Sequence, residues 1–220
     1  MKKYNLTDME KVRQYRDLKM EAREGEDEMI VEGYATTYNE PYLLFTDRDG
    51  DYTVGIYEQV SSNAFDDADM SDVLFQYNHE GRVFARLSNG TMELDKDDEH
   101  GLKVTANLGG TDIGRQLYQE IKGGYTNKMS FGFTIKKASD LVELDDGEFD
   151  ENYVYTIEQI GKLYDVSAVS LPQNDFTSIS ARKFNDGAIS EFVTERLHKH
   201  EEKMERMRKV EELKRMIKED

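Results

Sequence analysis

Between residues 21 and 185, Tyr, Phe, Val, Thr and Ile recur at alternate positions in short runs bounded by Gly, Asn and Asp. A period of two puts successive side chains on opposite faces of an extended chain, so these runs predict strands rather than helices. They fall at Met29–Tyr38, Val73–Tyr77, Val83–Glu93, Leu102–Ala106, Lys128–Lys136, Tyr153–Ile160 and Leu163–Ser170. Two intervening segments carry a helical pattern, Ser61–Ala68 and Thr111–Lys122. The second opens on Thr111 and Asp112 as capping residues, spaces Ile113, Leu117 and Ile121 by four, and stops at Gly123-Gly124. About seven strands and two helices predict a mainly β, α+β fold, a closed or nearly closed barrel decorated by helices. The acidic stretches Glu93–Glu99 and Glu143–Glu151 read as exposed hairpin turns.

From about Ser190 the pattern changes to Glu, Lys, Arg, Met and Leu without Gly or Pro, which predicts one long helix. Ile189, Phe192, Val193, Leu197, Met204, Met207, Val210, Leu213 and Ile217 recur mostly at steps of three and four, with His200 and Lys203 interrupting the seam. Such a helix either packs one face on its own domain or a partner, or extends as a linker or coiled coil into an assembly. Charge divides the chain in the same way: the formal net charge of -17 splits into +3 over residues 1–20, -20 over 21–190 and 0 over 191–220. The expected organisation is an N-terminal segment 1–20, a β domain 21–185 and a helical extension 186–220.

An acidic domain of this size repels phosphate backbones and anionic lipid, which argues against nucleic-acid and membrane partners. With no cysteine there is no disulfide, thiol nucleophile or thiolate metal site, and a reducing compartment is expected. The opening residues, Met1 to Met20, lack the apolar core of a signal peptide. A soluble, intracellular protein is the expectation.

Several segments invite a chemical reading. Asp47, Asp49 and Asp51 alternate as calcium ligands do, and Glu58 stands where a closing bidentate ligand would. The loop's sixth position is Tyr52 instead of the required glycine, so an exposed acidic turn is the better reading. Asp66, Asp67, Asp69 and Asp72 read as a solvated helix face and loop. His79 follows the apolar run Val73–Tyr77 and precedes Glu80-Gly81, which places it at the mouth of a strand, where a general base has both support and access. A structural or surface histidine is the alternative. In Lys128–Ile135, alternation puts Met129, Phe131, Phe133 and Ile135 on one face and Ser130, Gly132 and Thr134 on the other, so Ser130 points away from the apolar side. A serine nucleophile needs such access and a base within hydrogen-bonding reach; Lys128, on the same face, offers a Ser-Lys dyad as a second arrangement. Asp165 interrupts an otherwise apolar strand and needs a partner there. It is either a hydrogen-bonded or edge-strand aspartate or the acid that orients His79, a role for which Glu158 is the reserve.

The ordered set Tyr77-Asn78-His79, Met129-Ser130-Phe131-Gly132-Phe133 and Asp165-Val166-Ser167 followed by Leu171-Pro172 resembles the prohead proteases of tailed bacteriophages and related prophages. Glu32-Gly33-Tyr34-Ala35 with Tyr38-Asn39, and Gly101-Leu102-Lys103-Val104, are similar to further parts of that family, and the likeness spans roughly residues 18–182. It implies a herpesvirus-protease-like β-barrel wrapped by helices and a serine endopeptidase that needs no cofactor or metal. The implied nucleophile is Ser130 and the implied base His79, with Asp165 at a position where the family usually carries Glu. It also implies the major capsid protein or a scaffold protein as substrate, self-cleavage, self-association as a homodimer or higher oligomer, and action inside the immature capsid in the bacterial cytoplasm. Ala85 before Arg86, and Ser170-Leu171-Pro172-Gln173-Asn174, depart from the family's usual glycine and Thr-Pro-Ala-type sequence. Backbone amides or Arg86 are the candidates for stabilising an oxyanion.

Overall fold

A computed structural model describes residues 14–22, 29–145, 147–170 and 188–219. Among these residues eleven strands run in chain order: β1 (Gln14–Ala22), β2 (Ile30–Thr37), β3 (Tyr42–Asp49), β4 (Tyr52–Val60), β5 (Leu74–Tyr77), β6 (Glu80–Arg86), β7 (Met92–Asp95), β8 (Gly101–Asn107), β9 (Lys128–Ala138), β10 (Val142–Glu143) and β11 (Glu151–Val169). Two α-helices accompany them, α1 (Asp112–Lys122) between β8 and β9 and α2 (Ala188–Glu219) at the end.

Hydrogen bonding orders the strands β3-β4-β11-β9-β1-β2-β8-β7, and β5 lies against β11 with β6 beside it. That path has two ends, at β3 and β7, so the sheet is not closed and the barrel expected from the strand count is not what forms. The reason lies in β11. Its first half pairs in parallel with β4 and its second half in parallel with β5, while β9 runs antiparallel along its other side. One 19-residue strand thus organises the middle of the sheet. The sequence pattern predicts two strands here because Gly161 reads as a break; in the structure the chain passes through it with a series of register shifts between Ile157 and Asp165. There Gly161 O accepts from Asp69 N at 2.9 Å, so the glycine keeps its ladder role at an irregularity.

Other differences also have local causes. Ser61–Ala68 is a chain of turns rather than a helix. Ser61 N donates to Ile157 O and Ile160 N donates to Ala64 O, so β11 takes backbone groups that a helix would use internally, while Ala64 and Phe65 are buried. The predicted strand Val83–Glu93 is interrupted by a short 3₁₀ turn, Leu87–Asn89, closed by Gly90 at φ +73°. Strands β3 and β4 add to the predicted set; Asp47 and Asp49 lie at the paired end of β3, and Gly50-Asp51 is the tight turn between the strands, with Gly50 at φ +59°. Strand β1 lies across the boundary drawn at residue 20 and pairs with both β9 and β2. The acidic stretches after β7 and β10 do connect antiparallel neighbours.

Helix α1 forms as its sequence directs. Thr111 caps it by accepting from Gly114 N at 3.0 Å, and Leu117, Tyr118 and Ile121 are buried. Helix α2 docks through its first part: Ile189, Phe192 and Val193 are buried, Phe192 meets Tyr153 edge-on at 4.7 Å, and His200 stacks on Tyr52 at 3.6 Å. Residues 201–212 are exposed, Met204, Met207 and Val210 included. Among the described residues no helix is long and apolar enough to cross a membrane.

Candidate active site

The register of the sheet carries Ser130 and Asp165 to adjacent strands. On β9, Ser130 lies directly across from Ser167 of β11, and Gly132 lies across from Asp165. Asp165 and Ser167, two residues apart, share a face of their strand. The third strand is β5, paired with β11 from Asp165 to Ala168. Its chain turns back at Asn78-His79, a two-residue loop between the paired Tyr77 and Glu80. Both loop residues have positive φ, +51° at Asn78 and +61° at His79. Tight hairpins of this hand want Asn-Gly in those positions; a histidine in the second costs roughly 1 kcal/mol of backbone strain.

That conformation is held by the end of β11. Asn78 N donates to Ala168 O at 2.9 Å, Ser170 N donates to Asn78 Oδ1 at 3.3 Å, and Tyr77 Oη lies 2.9 Å from Ser170 Oγ. The turn projects the imidazole across β11 so that Nδ1 is 2.6 Å from Asp165 Oδ1 and Nε2 is 2.7 Å from Ser130 Oγ. An ionised carboxylate only accepts, so Nδ1–H donates to Asp165 and Nε2 is left to accept from the Ser130 hydroxyl. Ser167 Oγ–H donates to the same Asp165 Oδ1 at 2.6 Å. Asp165, Ser130 and Ser167 are fully buried, and the His79 side chain is 8% exposed. A carboxylate withdrawn from water requires partners of this strength, or its desolvation would dominate.

All three residues singled out from the sequence therefore come together. Glu158 does not: it pairs with Lys137 at 2.5 Å. His79, not Lys128, is the base within reach of Ser130. Arg86 sits at the far end of the hairpin, opposite Leu74, and forks onto Asp72. The expectation that Ser130 points to an open face is corrected, because residues 129–133 are all buried, so both faces of β9 are covered through its centre, and the His79 ring lies on the Ser130 side. Alternation distinguishes the two faces of a strand, but it does not say whether the second face meets solvent. Ser167 entered the sequence reading only as part of a motif; its spacing of two from Asp165 in an apolar strand was the available signal.

Four of the remaining acidic candidates are occupied elsewhere. Asp66 pairs with Lys96 at 3.0 Å, Asp69 with Lys162 at 2.7 Å, and Asp72 with Arg86. Hydrogen bonds from Lys162 and Arg86 hold the carboxyls of Asp69 and Asp72 below the usual carboxylate range. Glu58, the would-be calcium ligand, is buried and accepts from the hydroxyls of Tyr42 and Tyr155. Among the described residues no group of three or more His, Asp or Glu converges as metal ligands would.

A hydroxyl, an imidazole and a carboxylate in one hydrogen-bonded chain are the parts of a serine hydrolase, in which the base activates the hydroxyl and the acid orients the base. Residues 16–189 match the model of the caudovirus prohead serine protease family, and the chain belongs to that family. Membership places it in the class of phage capsid-maturation serine proteases. No curated protein matches the chain, and no solved structure does.

Proposed function

We propose that the protein is a serine endopeptidase acting through Ser130, His79 and Asp165 inside the immature capsid, on the scaffold protein or the scaffold-like segment of the major capsid protein, and on itself. The observation that carries the reading is the continuous chain from Ser130 Oγ through His79 to Asp165, with both bonds at 2.7 Å or less. In the reaction His79 Nε2 takes the hydroxyl proton as Ser130 Oγ bonds to the peptide carbonyl carbon. The amide C–N bond then breaks and the leaving amine receives that proton. Water, deprotonated by the same nitrogen, splits the acyl ester and restores Ser130. Asp165 holds the ring in place and stabilises the imidazolium. A cavity of about 490 Å³ beside the turn, between β6 and α1, gives room for substrate side chains; Asn78, Glu80 and Ile113 are in its lining, and His79 and Ser130 are not. The kinship with herpesvirus assembly proteases and the self-associated active form rest on the family resemblance.

One observation favours a second reading. Ser130 is fully buried, which suits a noncatalytic capsid-assembly or scaffold-binding protein of the same family as well as a protease whose substrate uncovers the nucleophile. Incubation with the cognate scaffold and major capsid proteins separates the two. The parent protein should generate discrete fragments and trim its own ends, and Ser130→Ala should do neither. Equal fragment patterns from both would remove Ser130 from the chemistry.

A further inference from the structure

We propose that Ser167 is a fourth member of the catalytic array, a positioning residue that acts through Asp165. This rests on the reading of Ser130 as the nucleophile. The geometry has three parts. First, Ser167 Oγ lies 2.6 Å from Asp165 Oδ1, the same oxygen that receives His79 Nδ1–H at 2.6 Å. Second, both Asp165 and Ser167 are fully buried, so the contact is made where water cannot substitute for it. Third, Ser167 is the direct cross-strand partner of Ser130. A single residue of β11 therefore lies beside the nucleophile and fixes the acid that orients the base.

The alternation of β11 explains why this works as a unit. Asp165 and Ser167 share one face, and backbone pairing holds them in register, Asp165 to Gly132 and Ser167 to Ser130. The His79 ring comes from outside that ladder, on a turn whose two central residues both have positive φ. The ring's position depends on what receives Nδ1–H, and the Asp165 oxygen is placed in turn by a hydroxyl that cannot drift. A second donor on Oδ1 also spreads the carboxylate charge. Without it the charge bears more strongly on the imidazole and favours the protonated ring.

The test is the rate at which an alkyl fluorophosphonate phosphonylates Ser130, followed by intact-protein mass against pH in the full chain. Ser167→Ala should slow the maximal rate about ten- to a hundredfold, the size expected for one buried hydrogen bond to a charged group. It should also move the rising limb of the profile to higher pH, and Ser167→Thr, which keeps the hydroxyl, should restore both. In an Asp165→Asn background Ser167→Ala should have little further effect, a coupling that a general loss of packing would not produce. An unchanged rate and pH limb in Ser167→Ala would overturn the proposal, as would full additivity with Asp165→Asn. If Ser167→Ala does not fold, Ser167→Thr decides: an altered limb there counts against the hydroxyl's role. Failure of the parent to label at Ser130 would instead overturn the catalytic reading beneath it.

Discussion

Among the described residues two carboxylates are fully buried, one beside the long strand β11 and one on it, and they are satisfied in different ways. Glu58 on β4 takes the hydroxyls of Tyr42 and Tyr155, its direct cross-strand partners in the register of the sheet. Its partners are supplied by ordinary strand pairing, with no special backbone. Asp165, some ten residues further along the same strand system, about 30 Å at strand rise, takes Ser167 from its own strand and His79 from a turn in a left-handed conformation. A fold that only needed to neutralise Asp165 could have used another cross-strand hydroxyl. A strained turn stabilised by Ala168 and Ser170 delivers an imidazole instead, and that imidazole reaches on to a second hydroxyl. Backbone strain retained at one buried carboxylate and absent at the other separates a reactive site from a structural one.

The largest effect expected from this contrast is on Asp165. Asp165→Asn should leave the fold near its parent stability while lowering the rate of Ser130 phosphonylation about 10⁴-fold, through the wrong imidazole tautomer. A fall of less than tenfold would put Asp165 in the same class as Glu58. Conversely, Glu58→Ala should cost about 3 kcal/mol in urea unfolding, since it takes the acceptor from the buried Tyr155 hydroxyl and from the half-buried Tyr42 hydroxyl. Its folded form should phosphonylate within about twofold of the parent. A large loss of reactivity with intact stability would show that the two carboxylates are linked rather than distinct.

The smallest effect belongs to the exposed carboxylates that frame the hairpin. The hydrogen bonds from Arg86 hold the Asp72 carboxyl below its ordinary value. Because the folded value is the lower one, the pair's contribution is present above the unfolded carboxyl pKa, about 4, and is lost as pH falls through the folded one. Asp72→Asn should thus narrow the gap in stability between pH 6 and pH 2 slightly, by well under the effect of Glu58→Ala. A change as large as that of Glu58→Ala would mean that the hairpin's far end matters to the fold as much as the buried cluster does.

The site was more legible than its surroundings. Ser130, His79 and Asp165 each violate a local pattern, a hydroxyl between Met129 and Phe131, a histidine at a strand end and a carboxylate among Val, Ser and Ala, and such violations survive in a sequence whatever the tertiary context. What did not survive is anything decided by neighbours. Ser130's burial depends on what covers its face of β9, the His79 turn included. Gly161 reads as a break, yet the register shifts around it let one strand serve β4 and β5 in turn. Ser61–Ala68 has composition compatible with a helix but yields its backbone to β11. Strands β3 and β4 are masked in the sequence by the acidic segment at their junction, whose alternate carboxylates match a metal loop as well as the paired end of a strand.

The central claim is that Ser130 is a nucleophile activated by His79. It is tested most directly by the intact mass of the full chain after exposure to an alkyl fluorophosphonate. The account predicts a single phosphonyl adduct, mapped to Ser130, that is absent from Ser130→Ala and nearly absent from His79→Ala. No adduct on the folded parent, or an equal adduct on Ser130→Ala, would contradict it.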